Sequence, residues 1–159
     1  MPMSHAVFPS PIGPLTAVRD HGVLVGLWMG APPAADTLGP RDDEGFADVR
    51  DQLAEYFAGS RTTFELSLRA AGSPLQQAVW RLISAIPYGA TRTYGDLARE
   101  LGDPTLAQAV GAACGRNPLP VVVPCHRIVG ADGSLVGFGG GLERKRFLLD
   151  LEHRSERLF

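Results

Sequence analysis

The spacing of apolar residues changes several times along the chain, and each change marks an element. "LTAV" (15–18) and "VLVGLWM" (23–29) flank "RDHG" (19–22), the pattern of two strands joined by a hairpin turn. "APPAADTLGPRDDEG" (31–45) is rich in Pro, Gly and Asp and reads as a loop. In "FADVRDQLAEYF" (46–57), Phe46, Val49, Leu53 and Phe57 recur at helical spacing. "TFELSL" (63–68) alternates, with Phe64, Leu66 and Leu68 on one side, which predicts a half-buried strand. These elements make a small α+β unit.

"RAAGSP" (69–74) separates that unit from a different pattern, so the expected domains are 1–70 and 71–159. Ser73, Pro74 and Gln76 form a capping-box signal with Pro at the first helical position. The helix that follows carries an apolar stripe of Leu75, Val79, Leu82, Ile83 and Ile86 and ends at "PYG" (87–89). "TYGDLAREL" (93–101) predicts a short helix. "GDP" (102–104) breaks it, with Asp103 as N-cap and Pro104 at the first position of the next helix, "TLAQAVGAACG" (105–115). Two short helices across a tight Gly-containing turn predict a helix-turn-helix. "VVVPCHRIV" (121–129) reads as a β-branched strand interrupted by Pro124. "GADGS" (130–134) is a turn and "GFGGG" (137–141) a flexible loop. "LERKRFLLDLEHR" (142–154) predicts a final helix with Leu142, Phe147, Leu148 and Leu151 as its apolar residues.

Composition narrows the class. The chain has 159 residues, 45% hydrophobic and 20% charged, enough for a core without disulfide or metal staples. No apolar run approaches a membrane span, and no secretory signal is visible at the N-terminus. Cys114 and Cys125 form neither a metal-ligand pattern nor a disulfide framework, so free thiols in a reducing cytoplasm are expected. Charge is divided unevenly. Residues 1–74 carry five Arg against nine Asp and Glu; residues 75–159 carry ten Arg and Lys against eight acids. The second part is thus the better suited to a polyanion. Lys145 is the only lysine, so phosphate contacts would rest on Arg and backbone amides.

Cys125-His126 is the candidate chemistry. A cysteine in a strand commonly behaves as a small hydrophobe. Pro124 cannot donate to a ladder, so the strand ends or bulges there and could expose the thiol. Alternating strand side chains would turn His126 away from the Cys125 sulfur and leave room for a bridging water. The residues alone leave both readings open. They also leave Glu152 a solvated helix-end residue, Tyr94 a core residue as readily as a functional one, and Cys114 a packing residue. "GFGGG" lacks the strand and helix context of a dinucleotide site.

Taken together, "PCHRIVG", the preceding "AVGAACGRNP", the following "GFGGGLERKRFLLDLE" and the upstream "LQQAVWRLISAIPYGATRTYGDLA" closely resemble the O6-alkylguanine-DNA alkyltransferase family, and "SPIGPLTAV" extends the likeness toward the N-terminus. The resemblance implies an N-terminal ribonuclease-H-like sheet with a helix. It also implies a mainly helical C-terminal domain that holds the helix-turn-helix and the active-site cysteine. The implied activity moves the alkyl group of O6-alkylguanine, and less efficiently of O4-alkylthymine, from duplex DNA to the protein's own cysteine, once per molecule.

On this resemblance Cys125 is the acceptor, His126 its base through a water, and Glu152 the orienter of His126. Asn117 braces the turn before the active site, and Tyr94 assists the leaving guanine. The base is flipped out of the duplex. Gln108, Ala109, Gly111 and Ala112 on the helix entering the minor groove, with Thr93 and Arg116, contact DNA. Phe138, Gly139 and Lys145 surround the pocket. No metal or cofactor is implied, and double-stranded DNA is the partner of a monomer able to cluster along it. Gln108 stands where the family usually has an arginine finger, Phe138 where it often has Tyr, and Gly139 where it often has Ser. The two pocket changes imply tolerance of alkyl groups larger than methyl. The rival readings are a lesion-binding protein with weak transfer, a Cys-His hydrolase and a regulatory helix-turn-helix protein.

Overall fold

The computed structural model describes residues 3–30, 37–135 and 141–157, with side chains described up to His153 in the last stretch. The chain divides into two compact units, Met1–Ala71 and Gly72–Phe159.

In the first unit β1 (Met3–Phe8), β2 (Leu15–Asp20) and β3 (Val23–Met29) form an antiparallel sheet in the order β1-β2-β3. The register places Ala6, Ala17 and Leu27 in one cross-strand row and Phe8, Leu15 and Met29 in the next. All of these except Met29 are buried. β1 is not legible from apolar alternation, because His5 occupies a buried position in it. The His5 ring is accommodated by a 3.0 Å contact from Nδ1 to the Gly39 carbonyl oxygen. The His5 amide donates to Pro40 O, and the Asp42 amide donates to His5 O at 2.8 Å, so loop backbone closes the outer edge of the sheet.

α1 (Ala47–Phe57) buries Val49, Leu53 and Tyr56, following Phe46 on a 3-10 turn. Phe57, expected on that face, is only half-buried, because the buried stripe steps three residues from Leu53 to Tyr56. The half-buried strand expected over 63–68 does not form. Its one bridge joins Leu68 to Leu24, and Leu68 is 40% exposed. The Gln52 side chain of α1 instead takes both backbone groups of Glu65, at 2.8 and 3.1 Å. A side-chain amide thus supplies the hydrogen bonds a neighbouring strand would have given.

The second unit begins with α2 (Pro74–Ser84). Ser73 Oγ accepts from the Gln76 amide and Gln76 Oε1 accepts from the Ser73 amide, closing a capping box. α2 buries Val79, Trp80 and Ile83, and the Trp80 indole donates to Ala113 O at 2.9 Å. That bond ties α2 to α4 (Ala107–Gly115). β4 (Arg92–Thr93) leads into α3 (Tyr94–Glu100), which is capped by Thr93 and Asp96 in a second capping box. Asp103 caps the 3-10 turn Pro104–Leu106, and α4 follows it as the second helix of a helix-turn-helix.

The strand expected over 121–129 is mostly absent. Pro120 and Val123 bridge across a tight turn in which Val121 has φ 74°, in the left-handed region. Cys125–Arg127 is a 3-10 turn, and only β5 (Ile128–Val129) pairs, parallel to β4. Pro120 and Pro124 have no amide to offer a ladder, so the β-branched run records burial and not extension. α5 (Leu142–Arg157) closes the unit. Its buried positions among the described side chains are Lys145, Leu148, Leu149, Leu151 and Glu152; Leu142 is 49% exposed and Phe147 half-buried, against expectation. The inward spacing 145, 148, 149, 152 is helical, but two of its members are charged and are invisible to an apolar count. Among the described residues no helix is long and apolar enough to cross a membrane.

Removing the cap at the start of the second unit tests this account of α2. Ser73→Ala should cost about 1 kcal/mol and Ser73→Asp only a few tenths, read from urea unfolding midpoints.

Candidate active site

The site is assembled from loops that α2, α4 and α5 hold in place. The short turn Cys125–Arg127 projects three side chains inward, and each is at most 6% exposed. This corrects the expectation of a thiol exposed at a strand end: Cys125 is 4% exposed. It also replaces the alternating geometry of a strand with that of a 3-10 turn, which places Cys125, His126 and Arg127 around one short arc.

Glu152 is 1% exposed, so it is not the solvated helix-end residue that its position suggested. His126 Nε2 lies 2.6 Å from Glu152 Oε2. Arg127 grips the same carboxylate as a fork, Nε donating to Oε1 at 2.9 Å and Nη2 to Oε2 at 3.0 Å. The Gly89 amide donates to Oε1, and Arg127 Nη1 donates to Ile86 O at 2.7 Å. The Arg127 guanidinium also lies 5.7 Å from the centre of the Tyr88 ring. Burial would raise the Glu152 carboxyl, but the hydrogen bonds and positive charge of His126 and Arg127 outweigh it and hold the group at about 2. An ionised carboxylate can only accept, so His126 Nε2 carries a proton and donates. Nδ1 is then the ring nitrogen able to receive one.

Burial lowers the pKa of His126, against the pull of Glu152, which favours an uncharged imidazole. Burial also pushes the Cys125 thiol up, with the Asn117 side chain and the Lys145 charge acting in the opposite direction. At rest Cys125 is therefore a thiol, and a base is needed to make it the nucleophile. Asn117 spans the tight turn: its Nδ2 donates to Val123 O at 2.8 Å and its Oδ1 accepts from the Leu119 amide at 2.9 Å. Lys145 is fully buried, and burial lowers its pKa while the two cysteines beside it act to raise it. Cys114 is buried on the inner side of α4, its thiol raised to about 12 by burial and by Cys125. Tyr94, at the start of α3, is half-buried, with its phenol raised to about 12 by burial and by the two thiols.

The DNA-contact candidates fall on different sides of their helix. Gln108 and Ala112 are exposed on one face of α4, Gly115 continues that face, and Arg116 is exposed just beyond it. Ala109 and Gly111 are half-buried at the flanks. A Cβ at Gly111 would lie 3.7 Å from the Tyr94 ring, so Gly111 faces the candidate site as much as solvent. The Thr93 hydroxyl is engaged as the α3 cap. Phe138 and Gly139 lie outside the described residues. Arg127 is the site residue that sequence reasoning passed over. Its signal was present, since an Arg follows Cys and His in a stretch otherwise too apolar to hold a charge without a partner.

Residues 74–154 match the family described as "6-O-methylguanine DNA methyltransferase, DNA binding domain", and residues 3–70 match its "ribonuclease-like domain". The chain belongs to the 6-O-methylguanine DNA methyltransferase family. It is 47% identical to the methylated-DNA–protein-cysteine methyltransferase of Mycobacterium tuberculosis (strain ATCC 25618 / H37Rv) over 90% of this chain and 88% of that one. It is 40% identical to the protein of that name from Methanosarcina acetivorans, over 94% and 98%. The crystal structure of Mycobacterium tuberculosis OGT in complex with DNA superposes with a TM-score of 0.89 at 45% identity, covering 96% of this chain and 94% of that one. The mixed α/β architecture, with a small N-terminal sheet and a helical second unit, is the fold of this methyltransferase family.

The charge arrangement fixes a sign for acid sensitivity. His126 has a folded pKa below its ordinary value of about 6.5, so its contribution to stability is present above that pH and lost as pH falls through the folded value. Glu152 behaves likewise lower down, from about 4.3 in the unfolded chain toward about 2 in the folded one. Thermal unfolding midpoints should fall between neutral and mildly acidic pH in the wild type, and His126→Gln should flatten that decline.

Proposed function

We propose that this protein repairs DNA by moving the alkyl group of O6-alkylguanine, and less efficiently of O4-alkylthymine, from a duplex to Cys125, once per molecule. The observation that carries the reading is a buried thiol adjoining a His126–Glu152 pair, set behind a helix whose outer face is small and open. In the reaction the Cys125 proton passes to His126 Nδ1 through a water. The sulfur attacks the alkyl carbon, an S–C bond forms and the C–O6 bond breaks. Guanine leaves with negative charge spread over O6 and its ring, and the Tyr94 hydroxyl meets that charge as a donor. A phenol held at about 12 stays protonated at neutral pH, which suits donation. The product thioether has no route back to a thiol in this site, so the protein is consumed.

A base inside the stack cannot reach a thiol that is 4% exposed, so the nucleotide must be flipped into the protein. Ala112 and Gly115 on the open face of α4 support close backbone approach to the minor groove, and Gln108 extends from the same face to occupy the vacated stack. Arg116 supplies a phosphate contact at the end of the helix. Asn117 holds the turn that carries Cys125 against the end of α4. No metal or cofactor takes part. Two free thiols and the absence of a membrane-spanning helix among the described residues support a cytoplasmic protein acting as a monomer on double-stranded DNA.

Intact mass after mixing with an O6-methylguanine duplex should rise by one methyl group in place of a hydrogen, mapped to Cys125 and absent in Cys125→Ala. Binding without a mass change would overturn transfer. Gln108→Arg should raise the transfer rate on duplex by more than it raises the rate on the free base; equal effects would mean that Gln108 plays no part in flipping.

A further inference from the structure

Glu152 orients His126, but a bare buried carboxylate would do more than orient. At 2.6 Å from Nε2 it would draw a second proton onto the ring and leave an imidazolium, which cannot take a proton from Cys125. The structure contains a counterweight. Arg127 lies against the opposite side of the same carboxylate, contacting both oxygens at 2.9 and 3.0 Å. The fork is itself anchored, through Nη1 to Ile86 O at 2.7 Å and through the Tyr88 ring below the guanidinium.

We propose that Arg127 is a positioning residue for the base: its fork neutralises Glu152, so that His126 is held in place as an uncharged proton acceptor. This inference rests on the proposed role of His126 in transfer to Cys125. Among the described residues, the charged and titratable groups near His126 are Glu152 and Lys145 from α5, and Arg127 and Cys125 from its own turn, with Tyr88 from the loop after α2 facing Arg127. Arg127 and Lys145 both oppose a positive ring, and Arg127 does so while in contact with both oxygens of the carboxylate that would otherwise create one. Guanidinium suits this task because it stays charged when buried and binds both carboxylate oxygens in one plane.

Two readouts test the proposal. The His126 ring can be titrated by NMR in the DNA-free protein, its signal assigned by loss in His126→Gln. In the wild type it should stay neutral well below about pH 6.5. In Arg127→Met its titration should move up by about one to two pH units. The acid limb of the methyl-transfer rate should move with it, so that transfer lost at neutral pH is recovered at alkaline pH. Arg127→Lys loses the fork and carries a charge that burial can remove, so its limb should shift in the same direction. A purely structural role would lower the rate of Arg127→Met by one factor at every pH and leave the ring titration unmoved, which would overturn the proposal. A wild-type His126 protonated at neutral pH would overturn it too, as would an unshifted limb in Arg127→Lys. These two results decide the matter if Arg127→Met does not fold. The ring titration uses neither DNA nor transfer, so a failure of the proposed function is seen separately, as wild-type protein that gains no methyl group.

Discussion

Taking the Glu152 charge out of water costs several kcal/mol unless other groups match it, and the groups that match it come from every part of the site. His126 and Arg127 are on the Cys125–Arg127 turn, and Gly89 is in the loop after α2. The same guanidinium that meets the carboxylate reaches back to Ile86 at the end of that helix. Removing any one of them strands a buried polar group. The position of the cysteine turn is therefore not a free variable: it is set by where a carboxylate on α5 can be satisfied.

Around that fixed centre the protein keeps the thiol proposed as its alkyl acceptor unreactive. Cys125 is buried and has its pKa raised, and neighbouring Cys114 is raised too, to about 12. Both properties protect a residue that can be used only once against oxidants and stray electrophiles. The means of activation are nonetheless close by. Asn117 and Lys145 both favour the thiolate, and His126 is bonded to Glu152 through Nε2. On the proposed mechanism the arrangement stores a thiol next to its base and leaves the substrate to complete the path between them.

The sequence showed some of this plainly and concealed the rest for definite reasons. The β2–β3 hairpin, both helices of the helix-turn-helix and the Ser73 capping box follow from local chemistry, and the structure has them. β1 was hidden because His5 interrupts its apolar positions, and its pairing depends on residues 15–20 and on a loop near residue 40. The run of three valines before Pro124 promised a strand, yet two prolines deny it a ladder and Val121 turns it back on itself. Cys125 stood out as a candidate, but its partners did not. Glu152 and Lys145 lie on the inner stripe of α5, where a hydrophobic scan counts them as solvent-facing. Buried charge can be recognised only once its counter-charge is known, and here that lies some 25 positions away along the chain.

The spread of the Glu152 contacts in sequence has a bearing on how the molecule matures. The Gly89 bond spans 63 residues, the Ile86–Arg127 bond 41 and the His126–Glu152 pair 26. Contacts of such separation require the loops between them to be closed at an entropic cost. A chain emerging from synthesis reaches Cys125 before it reaches Glu152. Until α5 docks, that cysteine is an ordinary thiol with no oriented base. On the proposed mechanism, competence for transfer is thus gained only by molecules that have finished folding, and until then neither the oriented base nor the burial that protects the thiol is in place.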